Sequence, residues 1–357
     1  MKSICSGIIA CILITFVYCN ASQAKTFLYV SLPDESGIAI YSVDENDGSL
    51  QQAAMADVPS DPGPLSVSQD RKTLYASLRT AGRLASYRTD SDTGKLRLLN
   101  IVDVDEDPAY HWQDRSGKWL LSAYYATGRV AVHGLQDDGS FDTNVKPRWF
   151  DTADKAHYIE GDVNNRTVLV PHTGPNKIFQ FTFNSSTGEL DLKEDGVLNT
   201  GAKTGPRHIQ FHKNKKWIFT DYEQGNAVSL LKQRNGLLVT KQIISSVPET
   251  WKGGGACAQM LLSPDSRYLY VANRGHNSIA GFEINKRNGR LTPVGFFATE
   301  ANPRSFAIHP NGRWLYAGGQ DTGKLAVFDR NRDNGTLLKR ETVDSGKRPW
   351  WLQLVKY

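Results

Sequence analysis

Cysteine is nearly missing from this chain, and the little there is cannot cross-link it. Of four cysteines in 357 residues, Cys5, Cys11 and Cys19 fall in the first 24 positions and only Cys257 stands beyond them. An intramolecular disulfide within residues 25–357 is therefore excluded, and the fold must be held by its core. No Cys/His cluster has zinc spacing, and His157 and His172 are too isolated in sequence to argue a metal site. No metal and no cofactor are expected. A basic block is also missing: 42 Lys and Arg are spread among 37 Asp and Glu, for a net charge of +5. That spread gives a nucleic-acid or membrane-surface partner little support. No segment sustains a helical period, and no long apolar run occurs after residue 24.

The first 24 residues are of another kind. Lys2 gives a short positive start, and ICSGIIACILITFVYC is an apolar stretch too short for a span of about 20 residues. Ser22 and Ala24 place small residues before Lys25. A secretory signal over 1–24, cleaved before Lys25, is the expectation, with a retained anchor as the alternative. Residues 25–357 are then one secreted or periplasmic domain, free of the membrane once cleaved.

What fills those residues is a repeat. Segments written DGSL, TGKL, DGSF, TGEL, NGLL, NGRL and NGTL end at Leu50, Leu96, Phe141, Leu190, Leu238, Leu291 and Leu337, at spacings of 45 to 53 residues. Each unit holds short alternating runs rich in β-branched and aromatic residues, parted by Gly/Asn/Asp turns. Units of four short strands near this length are β-propeller blades, and counting ends gives seven. The first unit starts on its second strand, TFLYVS, whereas the C-terminal RPWWLQLVKY has no unit of its own. An all-β, seven-bladed propeller closed by pairing residues 348–357 beside 26–31 accounts for both.

Aligning the blades on the turn that reads NGR at 311–313 exposes two variable columns. One, at the start of each innermost strand, is Gly63, Ala109, His157, Arg207, Ala258, Arg304 and Trp350. The other, just past the next strand, is Pro33, Arg79, Tyr125, Thr173, Glu223, Arg274 and Gln320. Because the two strands form a hairpin, both columns come out at one mouth of the central channel. Arg207, Arg274 and Arg304 would converge there with Glu223 and His157, and clustered guanidiniums repel unless an anion or carboxylate offsets them. The bland alternative is a set of solvated loop residues or an inter-blade pair such as Arg207–Glu223. Three other features read as scaffold. Trp119, Trp217 and Trp314 share a core or blade-interface column, the Gly-rich 252–260 lacks the helix a phosphate loop needs, and Asp265 suits an Asx turn.

The strings GPRHIQFHKNKKWIFTDYEQGN, LLSPDSRYLYVANRGHNSIAGFEI and NPRSFAIHPNGRWLYAGGQDTGKLAVF resemble the seven-bladed lactonase family. That family takes in propeller-type 6-phosphogluconolactonases, periplasmic gluconolactonases and carboxy-muconate lactonizing enzymes. The resemblance spans residues 25–357 and is strongest from the fourth blade on. It implies catalytic roles for Glu223, His157, Arg207 and Arg274, and substrate contacts at Arg304, Gln320, His172 and His208. Lys155 stands where the family often has a second His, and His172 and Thr173 are peculiar to this chain. The resemblance implies a hydrolase opening a small-molecule sugar lactone, with either Glu223 or His157 as base and the arginines on the oxyanion. Export favours an unphosphorylated aldono-1,5-lactone. The alternatives are a cycloisomerase or lyase on an unsaturated diacid, and a non-catalytic propeller binding an anion or a protein.

Overall fold

The computed structural model describes residues 24–104 and 106–357; the expected signal segment lies outside the described residues but for Ala24. The alternating runs form four-stranded antiparallel sheets, seven in all, each drawn from one consecutive stretch of chain except the first. Blade two runs from Pro62 to Asp103, blade three from Pro108 to Asp151, blade four from Glu160 to Asn199 and blade five from Pro206 to Ser245. Blades six and seven run from Ala256 to Ala298 and from Pro303 to Asp344. Blade one joins Thr26–Leu32, Gly37–Val43 and Leu50–Asp57 to the C-terminal strand Trp351–Lys356. The closing pair is antiparallel, with Thr26 opposite Lys356 and Ser31 opposite Trp351.

Neighbouring blades bury apolar clusters between their faces. One cluster joins Trp217, Phe219 and Val228 of blade five to Leu269, Val271 and Phe282 of blade six. The repeated Gly of the outer turns seals these junctions at the rim. Gly289 of blade six, at φ +81°, lies flat on the Trp217 ring, and a Cβ there would fall 2.6 Å from it. Gly48 sits likewise on Trp314, Gly94 on Phe27, Gly188 on Trp119 and Gly335 on Tyr268. The tryptophan column is thus a row of seats, each receiving the next blade's turn. Blade five is the exception: on its two-residue turn, a Cβ added at Gly236 would meet nothing within 4 Å. Gly289→Ala is expected to cost roughly 2 kcal/mol or more, from backbone strain plus overpacking. Gly236→Ala, which meets strain alone, should cost about 1 kcal/mol. Urea unfolding of the two variants checks the difference, and equal losses would deny the seat any role.

The innermost strands begin with a second recurrent device. The register slips between Pro62 and Leu65, Pro108 and Tyr110, Pro206 and Ile209, Cys257 and Met260, and Pro303 and Ser305. A bulge leaves residues unpaired and re-aims their side chains, and it falls where the first variable column stands. The Pro that opens four of these strands lacks an N–H, which an edge strand facing the channel tolerates. Blade four departs from the pattern. Its inner strand is only Glu160–Gly161, and a single bridge from Ala156 to His172 guides the chain before it.

Candidate active site

Strand ends deliver the charged residues to one mouth of the ring. Arg207 and His208 occupy the blade-five bulge, Glu223 follows the strand Ile218–Tyr222, and Arg274 closes the strand Tyr268–Arg274. Glycines let the backbone close in around Arg274, where Gly254 and Gly255 press on Gly275 and on the Arg274 carbonyl. The Gly-rich 252–255 therefore runs against the site, as a connection and not a phosphate loop.

Glu223 is the hub. Arg274 donates from Nη2 to Glu223 Oε1 and, at 3.0 Å, to the Cys257 carbonyl. Arg207 Nε lies 3.6 Å from the same oxygen. Burial pushes the Glu223 carboxyl up, but the Arg207 and Arg274 guanidiniums outweigh it and hold the group below its ordinary value. Glu223 is therefore a firmly ionised anchor and a weak base. Arg207 is fully buried and pushed down to about 10, first by burial, so it stays charged at neutral pH. Its Nη1 donates to His208 Nε2 at 2.8 Å, while the His208 backbone N–H donates to Asp221 Oδ1 at 2.7 Å. Arg207 and His208 are thus clamped from behind.

Arg304 is placed differently. It makes no salt bridge with any carboxylate among the described residues; its guanidinium lies 4.1 Å above the Trp350 ring. Burial and then the charges of Arg207 and Arg274 lower its pKa well below the usual guanidinium value. Arg79 and Arg348 flank the same indole at 5.4 and 5.2 Å, and Arg79 pairs with Asp107. A cavity of about 200 Å³ opens beside them between Pro33, Gly63 and Trp350. Gln320 lines a second recess that Arg348 shares, with its Nε2 buried and unbonded.

His157 is carried by the irregular start of blade four, its N–H bonded to the Pro171 carbonyl at 3.0 Å. Its ring meets Tyr125 edge-on and lies 5.7 Å from the His208 ring. Burial, then the charges of Arg207, His208, Arg304 and Arg79, hold His157 well below the ordinary imidazole value, and Nδ1 has no partner. His157 is therefore neutral at neutral pH. Several donors around it are equally unbonded: Arg207 Nε, Arg274 Nε, Arg304 Nε and Gln320 Nε2.

His172 is not at the mouth, and the expectation of a substrate contact there is corrected. Its ring is fully buried against Phe179, with Nδ1 3.0 Å from the Val170 carbonyl and Nε2 2.8 Å from the Thr152 hydroxyl. The bridge that guides His157 uses the His172 backbone and turns its side chain into the sheet packing. Sequence reading passed over Asp221, whose carboxyl burial pushes up to about 7 and whose Oδ2 is unbonded. It also passed over Trp350 as the platform under Arg304, and Glu160. Glu160 accepts from the Tyr158 hydroxyl at 2.8 Å and is raised by burial to about 7. An acid on the first or second strand of a blade with no place in either column gave no signal.

Paired and unpaired guanidiniums thus stand about a neutral imidazole at one mouth of a seven-bladed propeller. The model of the family described as Lactonase, 7-bladed beta-propeller matches residues 24–354, and the chain belongs to that family. It is 30% identical over 186 residues to the 6-phosphogluconolactonase of Bacillus subtilis, covering 49% of this chain and 52% of that protein. The chain spans about half the length of the curated relatives it matches. Among solved structures it is similar to the periplasmic gluconolactonase PpgL of Pseudomonas aeruginosa, with TM-score 0.86 and 26% identity over 93% of this chain and 99% of that one. A Lactobacillus plantarum protein, 22% identical with TM-score 0.82 over 93% and 100% of the two chains, shares the fold.

Proposed function

We propose that this protein is an exported lactonase that opens an unphosphorylated aldono-1,5-lactone such as gluconolactone to its acid. The observation that carries the chemistry is the set of buried, unbonded donors on Arg274, Arg304 and Gln320 together with a neutral His157 whose Nδ1 is unbonded. The likeness to PpgL and the N-terminal apolar segment support the compartment, where a phosphorylated sugar is out of place.

Water adds to the lactone carbonyl while His157 Nδ1 takes its proton, and the carbonyl electrons move to oxygen. Arg274 and Arg304 donate to that oxyanion, with Glu223 and the Cys257 carbonyl holding Arg274 in place. The oxyanion then collapses, the bond to the ring oxygen breaks, and the imidazolium returns the proton to the departing alkoxide. His157 is assigned as base over Glu223 because Arg274 and Arg207 already engage that carboxylate, whereas His157 Nδ1 has no partner. The charges that depress His157 are offset as the negative oxyanion forms beside it, so its basicity rises when the proton arrives.

The test is a panel of glucono-1,5-lactone, its 6-phosphate and an unsaturated diacid, read by acid release or absorbance and corrected for spontaneous hydrolysis. Turnover of glucono-1,5-lactone above the other two is expected. The neutral imidazole is the active form and its pKa is lowered, so the rate should stay level as pH falls through 6.5 and drop only well below it. An acid limb at 6.5 or above would remove His157 from the role. Turnover of the diacid alone would mark a cycloisomerase, and binding without turnover a binding module.

A further inference from the structure

The end of the ring opposite the active-site mouth carries a charge pattern invisible in the linear sequence. That end is built from two turns per blade, and on blades five and six these expose Lys213, Lys215, Lys216, Lys286, Arg287 and Arg290. The same turns hold one acid, Asp265, already engaged by Arg330 at 3.7 Å. On blades one to three the corresponding turns are rich in acids, among them Asp44, Asp47, Asp90, Asp92 and Asp138. Hydrogen bonds from their own turns, backbone N–H groups first for Asp47 and Asp90 and the Ser140 hydroxyl first for Asp138, hold three of these below the ordinary carboxylate value. Residues tens of positions apart thus meet on one side of one face, and the positive charge is segregated although the sequence interleaves it.

The cationic side is also concave. Blade five's short hairpin lacks an aromatic seat and is met instead by the Lys193 ammonium, 3.3 Å from the Gly236 carbonyl; a cleft of about 700 Å³ opens beside Trp217 between Lys215, Lys216, Lys232, Lys286 and Arg287. One acid, Asp162, lines the same cleft; the basic side chains outnumber it and raise the local potential, and a recess among them takes a phosphodiester group more readily than a flat patch does. Chain direction supplies the second observation. Lys25 and Thr26 lie at this same end, where the Lys25 ammonium donates to the Asp92 carbonyl at 2.8 Å and Thr26 pairs with Lys356. The expected signal segment of residues 1–24 therefore leads into this end of the ring, on its blade-one side beside Asp92.

We infer that the blade-five and blade-six face is a docking surface for an anionic lipid bilayer, which turns the active-site mouth toward open solvent. Each Lys or Arg near a negatively charged surface contributes on the order of 1 kcal/mol, and salt screens the attraction within about 10 Å. The area rests on basic side chains alone, so binding is reversible.

The experiment is co-sedimentation of the full-length protein with phosphatidylcholine vesicles that contain or lack phosphatidylglycerol, at low and high salt. One variant carries Lys215→Glu, Lys216→Glu, Lys286→Glu and Arg287→Glu. A control carries Lys72→Glu, Lys95→Glu, Lys118→Glu and Lys146→Glu, four exposed lysines at the same end of blades two and three. Expected is binding that needs the anionic lipid, weakens with salt, and falls at least tenfold more in the first variant than in the control. Comparison within one full-length background cancels insertion of the N-terminal stretch, which neutral vesicles also report. Equal binding to neutral vesicles, or equal loss in both variants, overturns the inference. So does binding to a sulfated polysaccharide or self-association without any vesicle binding. Millimolar inorganic phosphate that abolishes vesicle binding without change of salt assigns the cleft to free phosphate and overturns it as well. Lactone turnover should be unchanged in both variants, so this result stands or falls apart from the proposed activity.

Discussion

Replacing Arg274 by alanine is expected to lower turnover of a susceptible lactone by about a hundredfold or more, the usual cost of one oxyanion donor. The fold should scarcely notice. Arg274 keeps 19% of its side chain exposed, and after its removal Glu223 retains Arg207 as counter-ion at 3.6 Å. No buried carboxylate is stranded, and repulsion on Arg304 is relieved. The loss should appear in kcat, since the interaction strengthens only as charge develops on the carbonyl oxygen. Glu223→Gln is the companion variant: it keeps size and hydrogen bonding but frees two guanidiniums from their anchor, and should lower kcat without moving the acid limb of the pH profile. Both variants folding and hydrolysing lactone like the parent would reduce these residues to scaffold.

Removal of residues 348–357 is the second large effect expected: the protein should become insoluble. The deletion takes away the whole inner strand of blade one, including Trp351, Leu352 and Val355, all nearly fully buried. It exposes six paired positions along Thr26–Leu32, a strand buried along its whole length, as an open edge. It also removes the Leu352 N–H that donates to the Ser305 hydroxyl across the junction to blade seven, and the Trp350 platform under Arg304. Trp351→Ala separates pairing from packing. That change should cost about 3–5 kcal/mol yet leave the strand in place and the protein soluble. A truncated chain that stays soluble, with native-like circular dichroism, would mean that the ring does not depend on this closure.

The blade count and the closing pair were legible in the sequence because hairpin turns recur at a spacing that only a repeated sheet explains. The columns told which end of the ring each residue reaches, since strand direction alone decides that. Depth was not legible. Arg207 and Arg304 hold equivalent positions, yet one is clamped behind Glu223 and the other rests on Trp350, because the bulge re-aims each side chain according to its neighbours. His172 was misread for a related reason: one position before the second column, a two-residue alternation turns it into the sheet. The proposal of His157 over Glu223 as base rests on the carboxylate that two arginines share, a contact that no spacing encodes. Charge segregation at the far end escaped notice because composition counts residues along a line, whereas the ring sums them by end.

The Velcro-like seam of blade one carries a consequence in time. Thr26 and Lys356 are partners in a single ladder, so the first strand to be synthesised waits for the last. Until the final residues are released, every earlier blade can form but the circle stays open, with Thr26–Leu32 unpaired on one side. The closing contact spans nearly the whole chain, the most costly kind of loop to close, and it is expected to be the slow, all-or-none step of folding. A chain so arranged cannot close its ring before the strand Trp351–Lys356 is made, so the seam sets the order in which folding can finish.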